Sequence, residues 1–378
     1  MAMSTNKRVL FVSASAGAGH NQASRALIAA VNQADPTIET EFIDSLAFTS
    51  AWFRCGYAGG YNLLASRFPW LYGVGYRLND RPMTPQRAWY EKLRLAWERW
   101  AARRLGDYIL SRRPALVVAT HFLAPPIVGR LMEAGAADLR LMVVVTDNVA
   151  HRWWYSQHVD RYFVSADSVT TRLKQWGIDL ARITVSGIPV HPKWSKPVDR
   201  RQVSRDWQFR EDRPVVVVSG GTYFALGPTE RIARGILDRT GATVVVLTGN
   251  NKHLQAALAR HAEANDRLKI VPFTDRVNEL AEAAAMIVTK AGGLMTSECV
   301  AKGVAMVLSK SVPGQEDANA AMLAAEGAAV REDTVEGIVT QVAALLGDPS
   351  RLEALRHNAR RLYRPGSQTI ARHIVEAL

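Results

Sequence analysis

The stretch SASAGAGHNQASRA, Ser13 to Ala26, follows the apolar run RVLFV and leads into a segment with helical spacing. Glycines at a strand-to-helix turn let an anion or a ligand approach the backbone closely. Gly17 and Gly19 match the first two glycines of a dinucleotide fingerprint. Asp44 ends the next strand-like run, where a ribose-binding acid would sit. The third small residue is missing. Gln22 occupies that position, and its bulk hinders close packing of helix on strand. His20 stands at a spacer position. By itself the stretch reads as a dinucleotide loop, as a purely structural turn, or as a loop for another ligand.

Outward from this turn, the first half alternates apolar runs with helical stretches. RVLFVSAS, IETEFID, ALVVAT, LRLMVVVTD, DRYFVSA and RITVSG read as strands. Most lack strict alternation, as strands buried on both faces do. Helical stretches follow at 21–31, 124–134 and 168–176. The second half repeats the pattern with PVVVVSG, ATVVVLTG, LKIVPF, AMIVTK and AMVLS, and helices at 229–238, 252–264, 277–285, 296–302 and 316–326. The Pro- and charge-rich HPKWSKPVDRRQVSRDW has no apolar period and places a linker near 190–212. The expected fold class is α/β, with Rossmann-like domains over 1–195 and 205–362 that face a cleft. The tail 363–378 is expected to form a helix that packs back towards the first domain.

The chain has 378 residues, 48% hydrophobic and 22% charged, which suits two globular domains. Cys55 and Cys299 are far apart and give neither a disulfide framework nor a metal-ligand spacing, which fits a reducing compartment. The N-terminus lacks a signal-peptide layout. No window approaches 18 uninterrupted apolar residues, so no transmembrane helix is expected. Of the net charge of +12, residues 51–113 hold +8, with 12 Lys/Arg against 4 Asp/Glu. The same window holds 13 of the 30 aromatic residues. Basic residues interleaved with aromatics suit an anionic membrane surface or a nucleic acid.

Two further glycine loops follow strands in the second half: SGGTYFALG, Ser219 to Gly227, and TKAGGLMTSE, Thr289 to Glu298. Backbone N–H groups there, helped by a helix N-terminus, suit a diphosphate, and Lys290 adds a positive charge. Glu298 reads as helix-end electrostatics or as an acceptor for two ribose hydroxyls. In SVPGQEDANAAML, Gln315 and Asn319 share a helix face, with Glu316 beside them. That stretch reads as a solvated helix start or as a ligand contact.

In this order, GAGH, VTDxxxHRxW, SGG, VPFTDRVNEL, TKAGGLxxSE and PGQExxN resemble the glycosyltransferases of family 28. Within it the chain is similar to the diacylglycerol glycosyltransferases of the monogalactosyl- and monoglucosyl- or processive diglucosyl-diacylglycerol synthase type. The resemblance runs from about residue 8 to about residue 330. It implies a GT-B fold, a UDP-sugar donor in the second domain, a lipid acceptor in the first, inversion at the anomeric carbon and no obligatory metal. It also implies that Phe273 holds the uracil ring and that Gly220, Gly221, Thr222, Gly292 and Gly293 face the diphosphate. Glu298 then holds the ribose, and Gln315, Glu316 and Asn319 meet sugar hydroxyls or phosphate. His20 stands on the acceptor side. Plant members have a more glycine-rich first loop and an arginine where this chain has Asn21.

Such a transfer needs a base for the acceptor hydroxyl and positive charge for the leaving UDP. His20, Asp147 and His151 all follow first-half strands. A histidine titrates near working pH, and His20 is the preferred base. Asp147 orients a histidine or the hydroxyl, or caps a turn; His151 is a further base candidate or a surface residue. The first-loop glycines, Gly17 and Gly19, let the acceptor approach. The spacing over 89–105 predicts one helix. It carries Trp89, Trp97 and Trp100, with Arg99, Arg103 and Arg104 on other faces. It reads as a membrane and acceptor element or as a core-packed helix with a basic face. The expected partners are a UDP-hexose, diacylglycerol and anionic lipids at the cytoplasmic face of the cell membrane, where the protein is peripheral. Glucose is favoured as the sugar, with galactose open. Another lipid-linked or a soluble acceptor is the alternative within the class, and a nucleic-acid-binding protein is the alternative outside it. The latter has no zinc, helix-turn-helix or RNA-binding signature in support.

Overall fold

The computed structural model describes residues 7–15, 17–60, 68–80, 85–136, 138–220, 228–309 and 314–378. The chain divides into two compact units. The first comprises the chain up to Pro192 together with Arg364–Leu378, and the second is Lys193–Tyr363.

In the first unit six parallel strands form one sheet: β1 (Arg8–Ser13), β2 (Glu39–Asp44), β3 (Leu116–Ala119), β4 (Arg140–Val144), β5 (Arg161–Val164) and β6 (Ile183–Val185). Their order is β2-β1-β3-β4-β5-β6. The apolar runs lack alternation because both faces are covered. Leu10 and Val12 pack into one core with Val117, Leu141 and Trp154, whereas Val9 and Phe11 pack on the opposite face with Leu27, Val118 and Phe163. The strand order reverses between β1 and β3, which makes that edge the place for a ligand beyond the strand ends.

The second unit repeats this design with β7 (Val215–Ser219), β8 (Thr243–Gly249), β9 (Leu268–Pro272), β10 (Met286–Lys290), β11 (Ala305–Ser309) and β12 (Ala329–Glu332). The order is β12-β11-β10-β7-β8-β9, all parallel, with the reversal between β7 and β10. The second and third glycine loops follow those two strands. Two Rossmann-like α/β sheets are therefore present. The expected linker is not an open tether. It carries the helix Arg200–Asp206, capped by Asp199 and closed onto the second unit by Arg200, which donates to Ala283 O at 3.0 Å.

Between β2 and β3 lie the helices Ala51–Arg54, Pro69–Asn79, Pro85–Ala101 and Arg103–Arg112. The single helix expected over 89–105 breaks at Ala102. Beyond the break Leu105 and Ile109 enter the core, while Trp97 and Trp100 before it stay exposed. Packing of the second segment decides the bend, since no glycine or proline stands there.

The final helix, Gly366–Glu376, inserts Ile370, Ala371 and Ile374 into the core that holds Val9, Phe11 and Val31. Its approach depends on Gly187, at φ 83°, where a Cβ would come 2.9 Å from Arg364 Cβ. Ser367 then donates to Val190 O at 2.5 Å. Gly187→Ala should lower folding stability by about 1–3 kcal/mol; a denaturant titration giving the wild-type midpoint would show that this left-handed turn is unstrained.

Candidate active site

His20 lies in the first turn of the helix Ala18–Ala34, directly after the β1 loop, and Thr120 and His121 follow β3. The strand-order reversal thus brings two sequence-distant segments together. His20 Nδ1 is 3.0 Å from Thr120 O and 2.8 Å from Thr146 Oγ1. A carbonyl oxygen only accepts, so the Nδ1 contact requires the proton on Nδ1 and leaves the lone pair on Nε2. Thr120 Oγ1 donates back to His20 O at 3.1 Å and meets Ser24 Oγ at 2.8 Å, which fixes the turn. Burial pulls the imidazole pKa down to about 4, against the opposing pull of the Thr120 carbonyl. The His20 imidazole is therefore neutral at physiological pH. Gly17 starts its helix, and nothing lies within 4 Å of where a Gly17 Cβ would stand; Gly19 is the residue before His20.

The sequence reading missed Thr120, Thr146 and His121. His121 is buried, with its ring edge-on to His20 at 4.7 Å, and its Nδ1 accepts from Leu123 N–H at 3.1 Å. The available signal was their position: each closely follows the C-terminal end of a strand in the middle of the sheet.

Asp147 and His151 follow β4 and are both buried. His151 is not poised as a base. Its Nε2 donates to Tyr76 O at 3.0 Å and its Nδ1 accepts from Trp153 N–H at 3.2 Å, so both ring nitrogens serve the loop. Burial also lowers its pKa. Asp147 is the residue after Thr146, and its carbonyl accepts from Ser165 Oγ at 2.9 Å.

The helix Pro85–Ala101 is turned inside out relative to a soluble amphipathic helix. Trp89 and Trp100 are 66% and 65% exposed, and Tyr90, Leu93 and Trp97 are exposed beside them. Glu98 is buried on the opposite side, and Arg94 lies between Glu91 and Glu98 at 2.5 and 2.6 Å. Neighbouring helices add the exposed Trp52, Phe68, Trp70 and Leu71. Arg99 donates to Pro126 O at 3.1 Å, whereas Arg103 and Arg104 are exposed. The core-packed reading of this helix is thus reversed for its aromatic face.

In the second unit Gly220 directly follows β7 and is buried; Gly221 and Thr222 lie outside the described residues. Lys290 closes β10, Gly292 precedes the helix Gly293–Lys302, and Gly293 is its first residue. Lys290 Nζ donates to Glu316 Oε1 at 2.5 Å. Asn319 is buried and donates to Ala291 O at 3.0 Å. Gln315 opens the helix that carries both Glu316 and Asn319. Glu298 stands close to Lys193 and Trp194; burial raises its carboxyl pKa to about 8, opposed by the Lys193 charge and a hydrogen bond from Trp194. Phe273 is 72% exposed just beyond β9. Apart from Lys193 and Trp194, the described residues named here lie at or beyond the carboxyl ends of strands of one sheet. Among the described residues no group of three His, Cys, Asp or Glu could hold a metal ion.

Comparison with known proteins gives two family matches. Residues 20–190 match the monogalactosyldiacylglycerol (MGDG) synthase family, and residues 215–372 match the glycosyltransferase family 28 C-terminal domain. The chain is 25% identical over 373 residues to a processive diacylglycerol beta-glucosyltransferase of Bacillus subtilis, covering 97% of this chain and 94% of that protein. It is 26% identical over 383 residues to a protein of the same description from Bacillus cereus, covering 100% and 94%. Among solved structures it is similar to MurG of Acinetobacter baumannii, at TM-score 0.61 and 18% identity over 98% of this chain and 99% of that one. It is also similar to S. aureus MnaA bound to UDP, at TM-score 0.64 and 14% identity over 98% and 97%. These structural similarities establish the two-domain fold expected from the sequence.

The His20 environment predicts its titration. The folded state holds the pKa near 4, below the unfolded 6.5. Its contribution to stability is therefore complete above pH 6.5 and is lost as pH falls towards 4. The His20 ring resonances should titrate with a midpoint near 4; an NMR midpoint near 6.5 would contradict the buried Nδ1–H arrangement.

Proposed function

The chain belongs to glycosyltransferase family 28, and we propose that it moves a hexose from a UDP-sugar to the 3-hydroxyl of diacylglycerol at a membrane surface. The observation that carries this reading is the Nδ1–H of His20 tied to the Thr120 carbonyl, which leaves Nε2 as an acceptor at the reversal point of the first sheet.

In this mechanism the acceptor oxygen attacks C1 of the sugar from the face opposite the diphosphate. The bond from C1 to the β-phosphate oxygen breaks, its electron pair leaves with UDP, and the configuration inverts to the β-glycoside. The hydroxyl proton passes to His20 Nε2. A weakly basic imidazole suffices, because the hydroxyl becomes acidic only as its oxygen bonds to C1. The imidazolium that forms keeps its Nδ1–H bond to the Thr120 carbonyl. On the donor side Lys290 and the first turn of Gly293–Lys302 stabilise charge on the departing diphosphate. Gly220 and Gly292 bring backbone close to it. Glu298 accepts from the ribose hydroxyls, whose hydrogen bonds favour its ionised form and oppose the burial that raises its pKa. Phe273 covers the base, and Gln315, Glu316 and Asn319 face the sugar. Asp147 orients the acceptor.

The exposed aromatic face of Pro85–Ala101 and its neighbours supports a lipid acceptor over a soluble one. Tryptophan prefers the membrane interface, and Arg103 and Arg104 add attraction to anionic lipid. Among the described residues no helix is long and apolar enough to cross a membrane. On the strength of the exposed tryptophans and arginines, the protein is proposed to sit peripherally on a membrane, on the cytoplasmic face of the cell membrane. Glucose is the favoured sugar because the relatives named above are described as glucosyltransferases, and a second transfer onto the product follows the same description.

Incubation with diacylglycerol vesicles and UDP-glucose or UDP-galactose should give a β-glycosyldiacylglycerol, with glucose preferred; product analysis finding none refutes the assignment. His20→Ala should lower turnover by about 10²–10⁴-fold while UDP binding is kept, and near-normal turnover would remove His20 from the mechanism. Arg103→Ala with Arg104→Ala should weaken binding to anionic vesicles by roughly 30-fold at low salt, on the order of 1 kcal/mol for each arginine. Vesicle co-sedimentation unchanged by the double substitution would exclude these arginines from the docking face.

A further inference from the structure

Lys290 and Glu316 come from different segments, the end of β10 and the second position of the helix Gln315–Ala325. Their side chains meet at 2.5 Å and are 18% and 10% exposed. The pair lies against Gly292. A Cβ built on Gly292 would come 3.9 Å from both Glu316 Oε1 and Lys290 Cε. Gly292 is also the residue from which Gly293–Lys302 starts, and it has no side chain to cap the helix. The first-turn N–H groups of an α-helix have no acceptors within the helix, and together with a lysine they form a place for an anion. In this protein an anion is already there: the carboxylate of Glu316.

We propose that Glu316 is a built-in placeholder anion, which holds Lys290 beside the helix start and must be displaced from it by a nucleoside diphosphate. The inference rests on the donor-site reading above and assigns Glu316 a role before the sugar is engaged. A carboxylate and a diphosphate cannot share one partly shielded lysine without like-charge repulsion. The diphosphate carries more charge and more acceptor oxygens, so it takes Lys290. Glu316 is then released towards the sugar hydroxyls. Its alternation couples the two halves of the donor: the phosphates free the group that reads the sugar.

The sign of one measurement distinguishes this role from others. UDP has no sugar, so a residue that only contacts the sugar would leave UDP affinity unchanged when replaced, and a purely structural residue would weaken it. A placeholder strengthens it. Calorimetric titration of full-length protein with UDP should show Glu316→Gln binding about tenfold more tightly than wild type, the equivalent of roughly 1.4 kcal/mol of relieved repulsion. Transfer by the same variant should be slower. Glu316→Ala, which cannot reach Lys290, should shift UDP affinity in the same direction and serves if the glutamine variant does not fold. Equal or weaker UDP binding by the folded variant overturns the placeholder and leaves the donor site standing. A wild-type protein that binds no UDP overturns both.

Discussion

A parallel sheet covered by helices on both faces leaves only its strand ends for chemistry. Every strand of each unit runs the same way, so all the carboxyl ends open on one edge. The reversal of strand order then separates two neighbouring loops at a single place on that edge. In the first unit this gap falls between β1 and β3 and receives His20, Thr120 and His121. In the second it falls between β7 and β10 and receives Gly220, Lys290 and the start of Gly293–Lys302. The buried apolar strands thus do more than build two cores. They decide which of the many polar residues in this chain meet.

The same constraint explains the state of His20. A histidine held at a strand edge loses water, which lowers its pKa, and gains the Thr120 carbonyl, which raises it. Desolvation is the larger effect, so the ring is neutral and its tautomer is set. Glu298 shows the converse for a carboxyl group, where burial exceeds the combined pull of Lys193 and Trp194. Burial favours the neutral form of both groups near pH 7.

Much of the fold was legible. The apolar runs marked eleven strands, each within a few residues, because most of them are short, apolar and buried on both faces, although the edge strands β2 and β6 are only partly buried. Ala329–Glu332 was not among them. It is an edge strand, half charged, and nothing in AVRE separates it from a turn. The candidate site was legible where motifs are local, as in the glycine loops and PGQExxN. It was not legible where contacts are distant. Thr120 stands 100 residues from His20, and Lys193, beside Glu298, lies in a segment that reads as linker. His151 read as a base candidate or a surface residue because sequence cannot show that Tyr76 and Trp153 take both its nitrogens. The helix Pro85–Ala101 was ambiguous for a related reason. Its period gives two faces, but only packing shows that the Arg94–Glu98 side turns in and the tryptophans turn out.

The helix Gly366–Glu376 has a consequence for the order in which the molecule is made. Its Ile370 and Ile374 belong to the core of the unit that begins at the N-terminus. The second unit is one uninterrupted stretch, Lys193–Tyr363, and has all its strands once that stretch is synthesised. The first unit emerges earlier but lacks part of one face of its sheet until the helix Gly366–Glu376 is released. Val9, Phe11 and Leu27 are then the surfaces a nascent chain must shield for longest. The unit that is translated first is the one completed after the second.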